Sequence, residues 1–397
     1  MATIPPVRRA LPASGIRAIF DQAKRFEAAG ERVWHLEIGR PDWPMPDAAV
    51  LGIREAVEAD CVHYVANRGL AELRAAWSQE IASVTGRLFD PETELTVTVG
   101  ASEGVCMAAL ALLGPGDEVV IPEPAWPHYH AVALMAGATP VSLPLRMEDR
   151  FEMDVDHLRK VITPRTRMIV VNTPGNPTGA VQPASVLRDI ARLATHHGIV
   201  ILSDEVYQDF VYSGEHTSIG RYLEDVELFV YVNSLSKSLA MTGSRVGILG
   251  ASAGLSKALV NVHQYLTVCG VSYAQFAAHR ALVSPDRPAY LGAMRREFAA
   301  RARPWLELAS ELPGWECHPP AGAFYVFPRV TFQGLDGAAF CEHMLTRHRV
   351  AMTPGAVFGA DFGQHVRISF GGSLECQNRA ATLIKEAFRA RSSKQAA

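Results

Sequence analysis

Short runs of β-forming residues alternate with helical patterns between residues 95 and 250. Seven such runs are rich in Val, Ile, Leu and Thr and read LTVTV, DEVVI, TPVSL, RMIVVN, IVILSD, LFVYVN and VGILG. Between or just after them, SEGVCMAALALL, ASVLRDIARLATHH and LSKALVNVHQYL space their apolar residues at three and four, as amphipathic helices do. This alternation predicts an α/β domain in which a parallel sheet is covered by helices.

The pattern changes near both ends of the chain. After residue 285, an Arg-, Glu- and Ala-rich stretch predicts one long helix, followed by the strand AFYVF, the helix GAAFCEHMLTRH, the strand VRISF and a final helix. This order predicts a smaller α+β domain over residues 286–397. Residues 1–45 contain one helix (GIRAIFDQAKRFEAAG) and one strand (VWHLEIG), and we expect them to pack with the small domain. Residues 46–285 then form the large domain.

The composition favours a soluble protein that acts on small molecules. The chain has 397 residues and a formal net charge of −3, which gives no electrostatic reason to expect nucleic acid or an anionic membrane as a partner. No apolar run reaches the length of about 18 residues that a membrane helix needs, and prolines interrupt the N-terminus where a secretory signal would be apolar. Six cysteines without CxxC or metal-ligand spacing predict reduced thiols, no metal site and a cytoplasmic location.

Lysine is scarce, which narrows the search for an amine nucleophile. The lysines are Lys24, Lys160, Lys237, Lys257, Lys385 and Lys394. All but one lie in charged or helical patterns or near the terminus, as surface charges do. Lys237 differs because it follows an apolar run and small hydroxyl residues, and SLSKSLAMTGSRVG contains no acid to pair with its amine. The residues alone leave two interpretations open, a loop lysine and a lysine poised for covalent chemistry.

The segment SLSKSLAMTGSRVG resembles the cofactor-lysine segment of fold-type I enzymes that use pyridoxal 5′-phosphate (PLP), specifically the class I and II aminotransferases. The resemblance implies their α/β fold, a large domain with a mostly parallel mixed sheet between helices and a smaller α+β domain. The resemblance implies that Lys237 holds PLP as a Schiff base and later moves a proton between the substrate α-carbon and the cofactor C4′. It also implies that Ser234 and Arg245 bind the cofactor phosphate, the arginine through two donors. Without the surrounding motif, a turn hydroxyl and a surface ion pair are the expected roles of these two residues.

Three further segments match the family in its order. Asp204 ends the strand pattern IVILSD, where an unpaired carboxylate is costly, and the resemblance implies that it pairs with the pyridinium nitrogen. Tyr207 in SDEVYQDF and Asn176 in VVNTPGNPTG match the residues that bind the cofactor 3′-oxygen. Trp126 in EPAWPHY matches the aromatic residue that stacks on the ring, and Asn176 and Trp126 are also candidate substrate contacts. The alternatives are a helix N-cap for Asp204 and a buried core residue for Trp126.

The resemblance also covers the phosphate and the substrate carboxylate. In TVGASEGVCMAAL a strand and a glycine lead into a helix N-terminus, so Gly100, Ala101 and Ser102 are candidate phosphate-binding residues, with an ordinary helix start as the alternative. Arg367 in HVRISFGG resembles the arginine that binds the substrate α-carboxylate, with a strand-end ion pair as the alternative. Gly39 in EIGRPDWPMP matches a glycine over the substrate, or is a turn glycine.

Oligomerisation and substrate preference depend on three other positions. Tyr64 in HYVANRGLAELRAA matches a tyrosine that reaches the phosphate of the neighbouring subunit, which implies a homodimer with active sites at the interface; a packed aromatic at a helix start is the alternative. Members dedicated to aspartate in one subgroup carry a lysine at the position of Ser102, and its absence favours a neutral or aromatic amino donor. Arg40 stands where an acidic or amide residue is more usual.

The motifs run from about residue 15 to the last helix and predict an aminotransferase. It would move the amino group of an L-amino acid to a 2-oxo acid in ping-pong fashion. The nearest alternative is other PLP chemistry on the same scaffold, by a β-lyase, a cyclase or an oxidase. A non-catalytic regulatory protein is disfavoured because the motifs leave no room for a DNA-binding domain. A nicotinamide-dependent oxidoreductase is disfavoured because no G-x-G-x-x-G turn follows a strand.

Overall fold

The structure is a computed structural model and describes residue 11 and residues 13–395. Strand β1 (Trp34–His35) precedes a central sheet whose strands are β2 (Leu95–Thr98), β3 (Glu118–Glu123), β4 (Thr139–Pro144), β5 (Thr166–Asn172), β6 (Val200–Asp204), β7 (Phe229–Ser234) and β8 (Gly247–Ala251). They form one seven-stranded sheet in the order β2-β8-β7-β6-β5-β3-β4. The seven runs that the sequence pattern singles out are therefore confirmed as strands of a single sheet.

The direction of the strands places their ends together. Strands β4, β3, β5, β6 and β7 pair in parallel, whereas β8 is antiparallel to both of its neighbours. Asn172, at the end of β5, is opposite Asp204, at the end of β6. The sheet is thus mixed and mostly parallel, as predicted. Polar residues at the carboxyl ends of β5 and β6 meet at one edge, which is where α/β proteins form their sites.

Helices cover both faces of this sheet. Those before residue 285 are α1 (Gly15–Ala28), α2 (Asp47–Glu58), α3 (Ala71–Thr85), α4 (Ala101–Leu112), α5 (His128–Met135), α6 (Val155–Val161), α7 (Ala184–His197), α8 (Leu235–Ser238), α9 (Ala253–Leu266) and α10 (Ser272–Leu282). In β5, Val170 packs in one hydrophobic core, whereas Ile169 and Val171 pack in the other. Successive strand residues face opposite sides, so a sheet with both faces buried needs the continuous apolar runs that the sequence shows.

The elements after residue 285 form small sheets with helices. They are α11 (Arg287–Arg301), α12 (Arg303–Glu311), β9 (Trp315–Glu316), β10 (Tyr325–Val326), β11 (Arg329–Val330), α13 (Gly337–His348), β12 (Val350–Ala351), β13 (Thr353–Pro354), β14 (Val366–Ser369) and α14 (Leu374–Gln395). The long Arg-, Glu- and Ala-rich helix that the sequence predicts is α11, but it does not lead directly to a strand, because the second helix α12 follows it. Helices α11 and α12 are separate because Pro304, in the first turn of α12, has no N–H to continue the hydrogen bonds of α11.

The N-terminal segment joins these late elements through a strand pair. Trp34 pairs in parallel with Val350, and His35 with Ala351. The predicted strand VWHLEIG is shorter than expected, since only these two residues form the ladder. The division into domains at residues 45 and 285 stays a prediction. In the part of the chain that the structure describes, no helix combines the length and apolar character needed to cross a membrane.

Candidate active site

A cavity of about 350 Å³ opens where the central strands end. Most of the residues that the motifs single out line it, and these are Gly39, Ala101, Ser102, Trp126, Asn176, Asp204, Tyr207, Ser234, Lys237, Arg245 and Arg367. They come from the N-terminal segment, the loops of the central sheet and the late strand β14. The fold therefore brings residues from nearly the whole length of the chain to one place.

Lys237 lies on the single turn of helix α8, directly after strand β7. Ser234 caps this turn by accepting a hydrogen bond from the backbone N–H of Ser236. The Lys237 Nζ donates to the backbone oxygen of Gly39 at 2.7 Å. Burial, together with the positive charges of Arg367 and Arg245, lowers the pKa of Lys237 from 10.5 to about 8. A substantial fraction of the amine is then neutral, and nucleophilic, near neutral pH.

Asp204 is a buried carboxylate at the end of β6, with only 2% of its surface exposed. The Tyr129 hydroxyl donates to its Oδ2 at 2.7 Å, and the Val206 backbone N–H donates to its Oδ1 at 3.3 Å. Burial raises the pKa of Asp204 to about 6, although the Tyr129 hydrogen bond opposes the shift. Within the described residues no cation forms an ion pair with Asp204. The site thus offers a buried acceptor to a positively charged group.

Arg367 is a buried cation on β14, 1% exposed. Its Nη1 donates to the Asn176 Oδ1 at 3.2 Å, and its Nη2 donates to the backbone oxygen of Glu37. The rings of Tyr325 and Phe358 each lie 4.9 Å from its guanidinium carbon. Its Nε has no hydrogen-bond partner, and no acid among the described residues forms an ion pair with it. The alternative of a strand-end ion pair is therefore not observed, and the guanidinium can still bind a carboxylate.

The start of helix α4 and the side chain of Arg245 form a polar end of the cavity. Gly100 caps α4 with a φ of +73°, and a Cβ atom there would lie 2.3 Å from the Arg245 Nη2. A side chain at this position would be strained by the positive φ and would force the Arg245 guanidinium to move away from the helix start. Gly100 is not itself a lining residue, but Ala101 and Ser102 are. Their backbone N–H groups belong to the first turn, where helices leave donors free.

Two serines near Arg245 differ in what their hydroxyls do. The Ser234 Oγ donates to the backbone oxygen of Val246 at 2.9 Å, although Ser234 also lines the cavity. The Ser236 Oγ instead accepts from the Arg245 Nη1 at 3.4 Å. Ser236, which the sequence motifs did not single out, is thus the hydroxyl that the structure places beside the guanidinium.

Aromatic side chains form another wall of the cavity. The half-buried Trp126 ring packs edge-on against Tyr129, with ring centroids 5.5 Å apart. The hydroxyls of Tyr207 and Tyr325 share a hydrogen bond of 2.7 Å. Burial raises the pKa of both of these tyrosines, so both hydroxyls keep their protons at neutral pH. Trp126 thus lines the cavity while also packing against the hydrophobic core, and Tyr207 lines the cavity as well.

Several lining residues were missed by sequence reasoning, namely Ser14, Ile16, Arg17, Ile38, Tyr129, Asn172, Val206, Ser236, Thr242 and Tyr325. Tyr129 and Asn172 lie inside EPAWPHY and VVNTPGNPTG, so those motifs carried a signal for them. Arg17 lies in an ordinary amphipathic helix, and no local pattern distinguishes it. Only the packing of α1 brings it to the cavity.

Two positions named from the sequence lie outside the cavity. Tyr64 is 89% exposed, and its contact with a neighbouring subunit stays a prediction. Arg40 is exposed and is not among the described residues that line the cavity. In the described part of the chain no group of three or more His, Cys, Asp or Glu side chains is arranged to hold a metal ion.

Comparison with known proteins assigns the site to a family. The family model for aminotransferase class I and II matches residues 32–384. This chain belongs to the class I and II aminotransferases. The aromatic-amino-acid aminotransferase 2 of Thermococcus litoralis is 35% identical over 378 residues, which cover 94% of this chain and 96% of the relative. The aspartate aminotransferase of Pyrococcus abyssi is 35% identical over 377 residues, which cover 95% and 96%.

The three-dimensional likeness is equally extensive. The structure of the aspartate aminotransferase from Thermus thermophilus with maleate matches with a TM-score of 0.93 at 33% identity, covering 98% of this chain and 100% of that one. This aminotransferase therefore has the fold-type I architecture, and the predictions of family, fold and enzyme class are confirmed. Membership of the family implies PLP as the cofactor.

Proposed function

We propose that this aminotransferase holds PLP on Lys237 and exchanges an amino group between an L-amino acid and a 2-oxo acid in the cavity. One observation carries the proposal. The Lys237 amine, with its pKa lowered to about 8, shares a cavity with the buried carboxylate of Asp204 and the buried guanidinium of Arg367. Neither has an ion-pair partner among the described residues. Their charges suit a protonated ring nitrogen and a substrate α-carboxylate.

The polar end of the cavity fits a phosphate. The absence of a side chain at Gly100 leaves room for the Arg245 guanidinium beside the start of α4. The backbone N–H groups of Ala101 and Ser102 and the Ser236 hydroxyl add neutral donors. A helix N-terminus with an arginine beside it is a favourable environment for an anion. These residues would hold the cofactor phosphate, and Ser234 would act mainly by capping the turn that carries Lys237.

The remaining residues fit the cofactor ring. Bound PLP would supply an electron sink for the negative charge that develops on the substrate α-carbon. Asp204, held by the Tyr129 hydroxyl, would keep a proton on the ring nitrogen. Trp126 would stack on the ring. Tyr207 and Asn176 would donate hydrogen bonds to the 3′-oxygen.

Lys237 and Arg367 would carry the substrate chemistry. Arg367 would bind the α-carboxylate and thereby orient the Cα–H bond toward the Lys237 amine. When the Lys237 amine is neutral and not joined to the cofactor, it would accept the Cα proton as a general base and hold it for transfer, and a pKa near 8 suits both taking up and giving up that proton. The backbone oxygen of Gly39 accepts a hydrogen bond from the Lys237 Nζ and would help to position it.

We also propose a homodimer, on the basis of an exposed apolar surface. Tyr64, Tyr265 and Val268 are 89%, 91% and 49% exposed. The Asn67 side chain, three residues after Tyr64, donates a hydrogen bond to the backbone oxygen of Val268 and so links the two segments. Exposed aromatic and aliphatic side chains that lie together are typical of interaction surfaces. Tyr64 would then reach the cavity of the partner subunit. Sedimentation velocity on the protein tests this, and a monomer at micromolar concentration would contradict it. The cytoplasmic location stays a prediction.

The Lys237→Ala variant tests the central proposal, with Lys257→Ala on an exposed face of α9 as the matched control. We expect Lys237→Ala to lose the visible absorption band of lysine-bound PLP and at least about 1,000-fold in kcat, because a covalent attachment and a general base are both removed. The control should retain both. An unchanged absorption band and rate in Lys237→Ala would refute the assignment of Lys237 as the lysine that holds PLP. Failure of the unaltered protein to take up PLP would refute the assignment of PLP as its cofactor.

A further inference from the structure

We infer that Arg17 is a specificity-determining residue that binds the second carboxylate of dicarboxylic substrates. The inference deepens the proposed function and rests on it, because it takes the places of the cofactor and the α-carboxylate as given. The substrate class is an amino or 2-oxo acid with an acidic group at the end of a short side chain, such as aspartate, glutamate and their oxo acids.

The described residues that line the cavity include more positively charged than negatively charged side chains. Among the described lining residues the cations are Arg17, Lys237, Arg245 and Arg367, and the only acid is Asp204. Under the proposed function the phosphate meets Arg245, the α-carboxylate meets Arg367, the amine of Lys237 is joined to the cofactor, and Asp204 meets the ring nitrogen. Arg17 is the cation that remains without an anion. A second carboxylate on the substrate supplies one.

Local packing fixes the position of Arg17. The Ser14 Oγ caps helix α1 by accepting a hydrogen bond from the Arg17 backbone N–H at 3.3 Å. Gly15 packs so closely on Val357 that a Cβ atom would lie 2.5 Å from its Cγ2. The first turn of α1 is therefore seated against the segment around Val357, and Arg17 is held at the cavity rather than on a freely moving end.

The same segment also carries part of the α-carboxylate site. Phe358 follows Val357 directly, and its ring lies 4.9 Å from the Arg367 guanidinium carbon. Arg17 and Arg367 are thus both supported by this short segment, while both line one cavity. Two guanidinium groups held in this way suit a substrate with a carboxylate at each end.

The helix itself offers Arg17 no acidic partner. Its first turn contains no acid, and a cation in a first turn is unfavourable for the helix dipole. The contact that the structure gives the Arg17 guanidinium is the Phe20 ring, 5.7 Å from the guanidinium carbon. In the described residues no carboxylate pairs with it. Apart from this ring contact, the charge of Arg17 has no partner among the described residues, and an anionic ligand would supply one.

The residue at position 102 also affects what substrate preference is expected. The lack of a lysine there favoured a neutral or aromatic donor, because the side chain is short and uncharged. Arg17 supplies a cation from helix α1 instead, which sequence reasoning did not place in the cavity. Because Arg17 is exposed, solvent and salt screen its charge, and we expect a preference of about 10- to 100-fold for dicarboxylic substrates.

The test is a kinetic comparison on the PLP-loaded enzyme. We expect Arg17→Met to lower the ratio of kcat/KM for L-aspartate and L-glutamate to that for L-phenylalanine by about 10- to 100-fold. Arg17→Lys keeps the charge and should restore part of the ratio. Arg25→Met is the matched control, because Arg25 is exposed on the same helix outside the cavity and the net charge changes equally. It should leave the ratio unchanged.

A binding measurement separates recognition from turnover. Calorimetric titration of the PLP-loaded enzyme with succinate and with butyrate compares a dicarboxylate with a monocarboxylate of the same chain length. Arg17→Met should lower the affinity for succinate more than the affinity for butyrate. Added salt should lower the affinity for succinate more in the unaltered enzyme than in the variant. An unchanged aspartate-to-phenylalanine ratio, or an equal loss for both donors and both ligands, overturns the inference. If the unaltered enzyme showed no transamination with any donor, the proposed function would be refuted instead.

Discussion

The two sides of the cavity hold their charges in different ways. On the side formed by the central sheet, Asp204 and Lys237 follow strands directly, and burial shifts the pKa of each toward neutrality. On the side formed by the terminal segments, Arg367 is held by backbone and side-chain oxygens and by two aromatic rings. A guanidinium keeps its charge at any physiological pH. The sheet side is therefore suited to moving protons, and the terminal side to orienting a carboxylate.

Arg367→Met should remove carboxylate binding on the terminal side while leaving PLP bound, and it gives the largest expected effect of the changes that follow. The guanidinium is buried and would be the bidentate partner of the α-carboxylate, so kcat/KM should fall by about 100- to 1,000-fold. The bound PLP and its absorption band should remain, because the sheet side is intact. Arg367→Lys should recover only part of the loss, since an ammonium lacks the planar pair of donors. Equal loss of PLP and of substrate affinity would show that the two sides are not separable.

Gly100→Ala should weaken PLP binding on the sheet side and leave substrate binding on the terminal side unchanged, with a smaller effect than Arg367→Met. The new methyl group would meet the Arg245 Nη2 and would need a φ of +73°, so we expect PLP affinity to fall by about 10- to 100-fold. At saturating PLP the KM for the amino acid should stay close to that of the unaltered enzyme. Gly198→Ala is the control, because Gly198 has a φ of +65° but no atom within 4 Å of the added methyl group. If PLP affinity fell by a comparable amount in the control, backbone strain alone would explain the effect of Gly100→Ala, and the contact with Arg245 would not be needed.

The pH dependence of PLP capture sharpens the comparison. Burial lowers the pKa of Lys237 from 10.5 to about 8, so the amine is mostly protonated below pH 8 and mostly neutral above it. The rate constant for capture of PLP by the apoprotein should therefore rise by about tenfold per pH unit below 8 and level off above it. Stopped-flow absorbance measures it. A midpoint near 10.5, the ordinary value for lysine, would contradict the shift.

Arg367→Met should move this profile in a known direction, which links the two sides. The positive charge of Arg367 is the next cause after burial that lowers the pKa of Lys237. Removing that charge should raise the midpoint of the capture profile toward higher pH. A midpoint that stays in place would mean that the cavity screens the two cations from each other.

The sheet side was largely predictable from sequence because its signals are local. Strands β5, β6 and β7 are continuous apolar runs, and the chemistry lies within a few residues of their ends. Lys237 could be distinguished from the surface lysines by the residues next to it in the sequence, which are an apolar run and small hydroxyl residues without an acid. The partner of Asp204 was missed, because the Tyr129 hydroxyl reaches it from helix α5, 75 residues earlier in the chain.

What the sequence by itself determined is thus the order of the strands along the chain, the family, and the residues that follow each strand. The tertiary structure alone decided that Arg367 lacks an acidic partner among the described residues and that Arg17 lines the cavity. The physical reason is the range of the interactions. Apolar periodicity and turn chemistry act between near neighbours, whereas the surroundings of a buried charge depend on segments hundreds of residues apart, which meet only when the core packs.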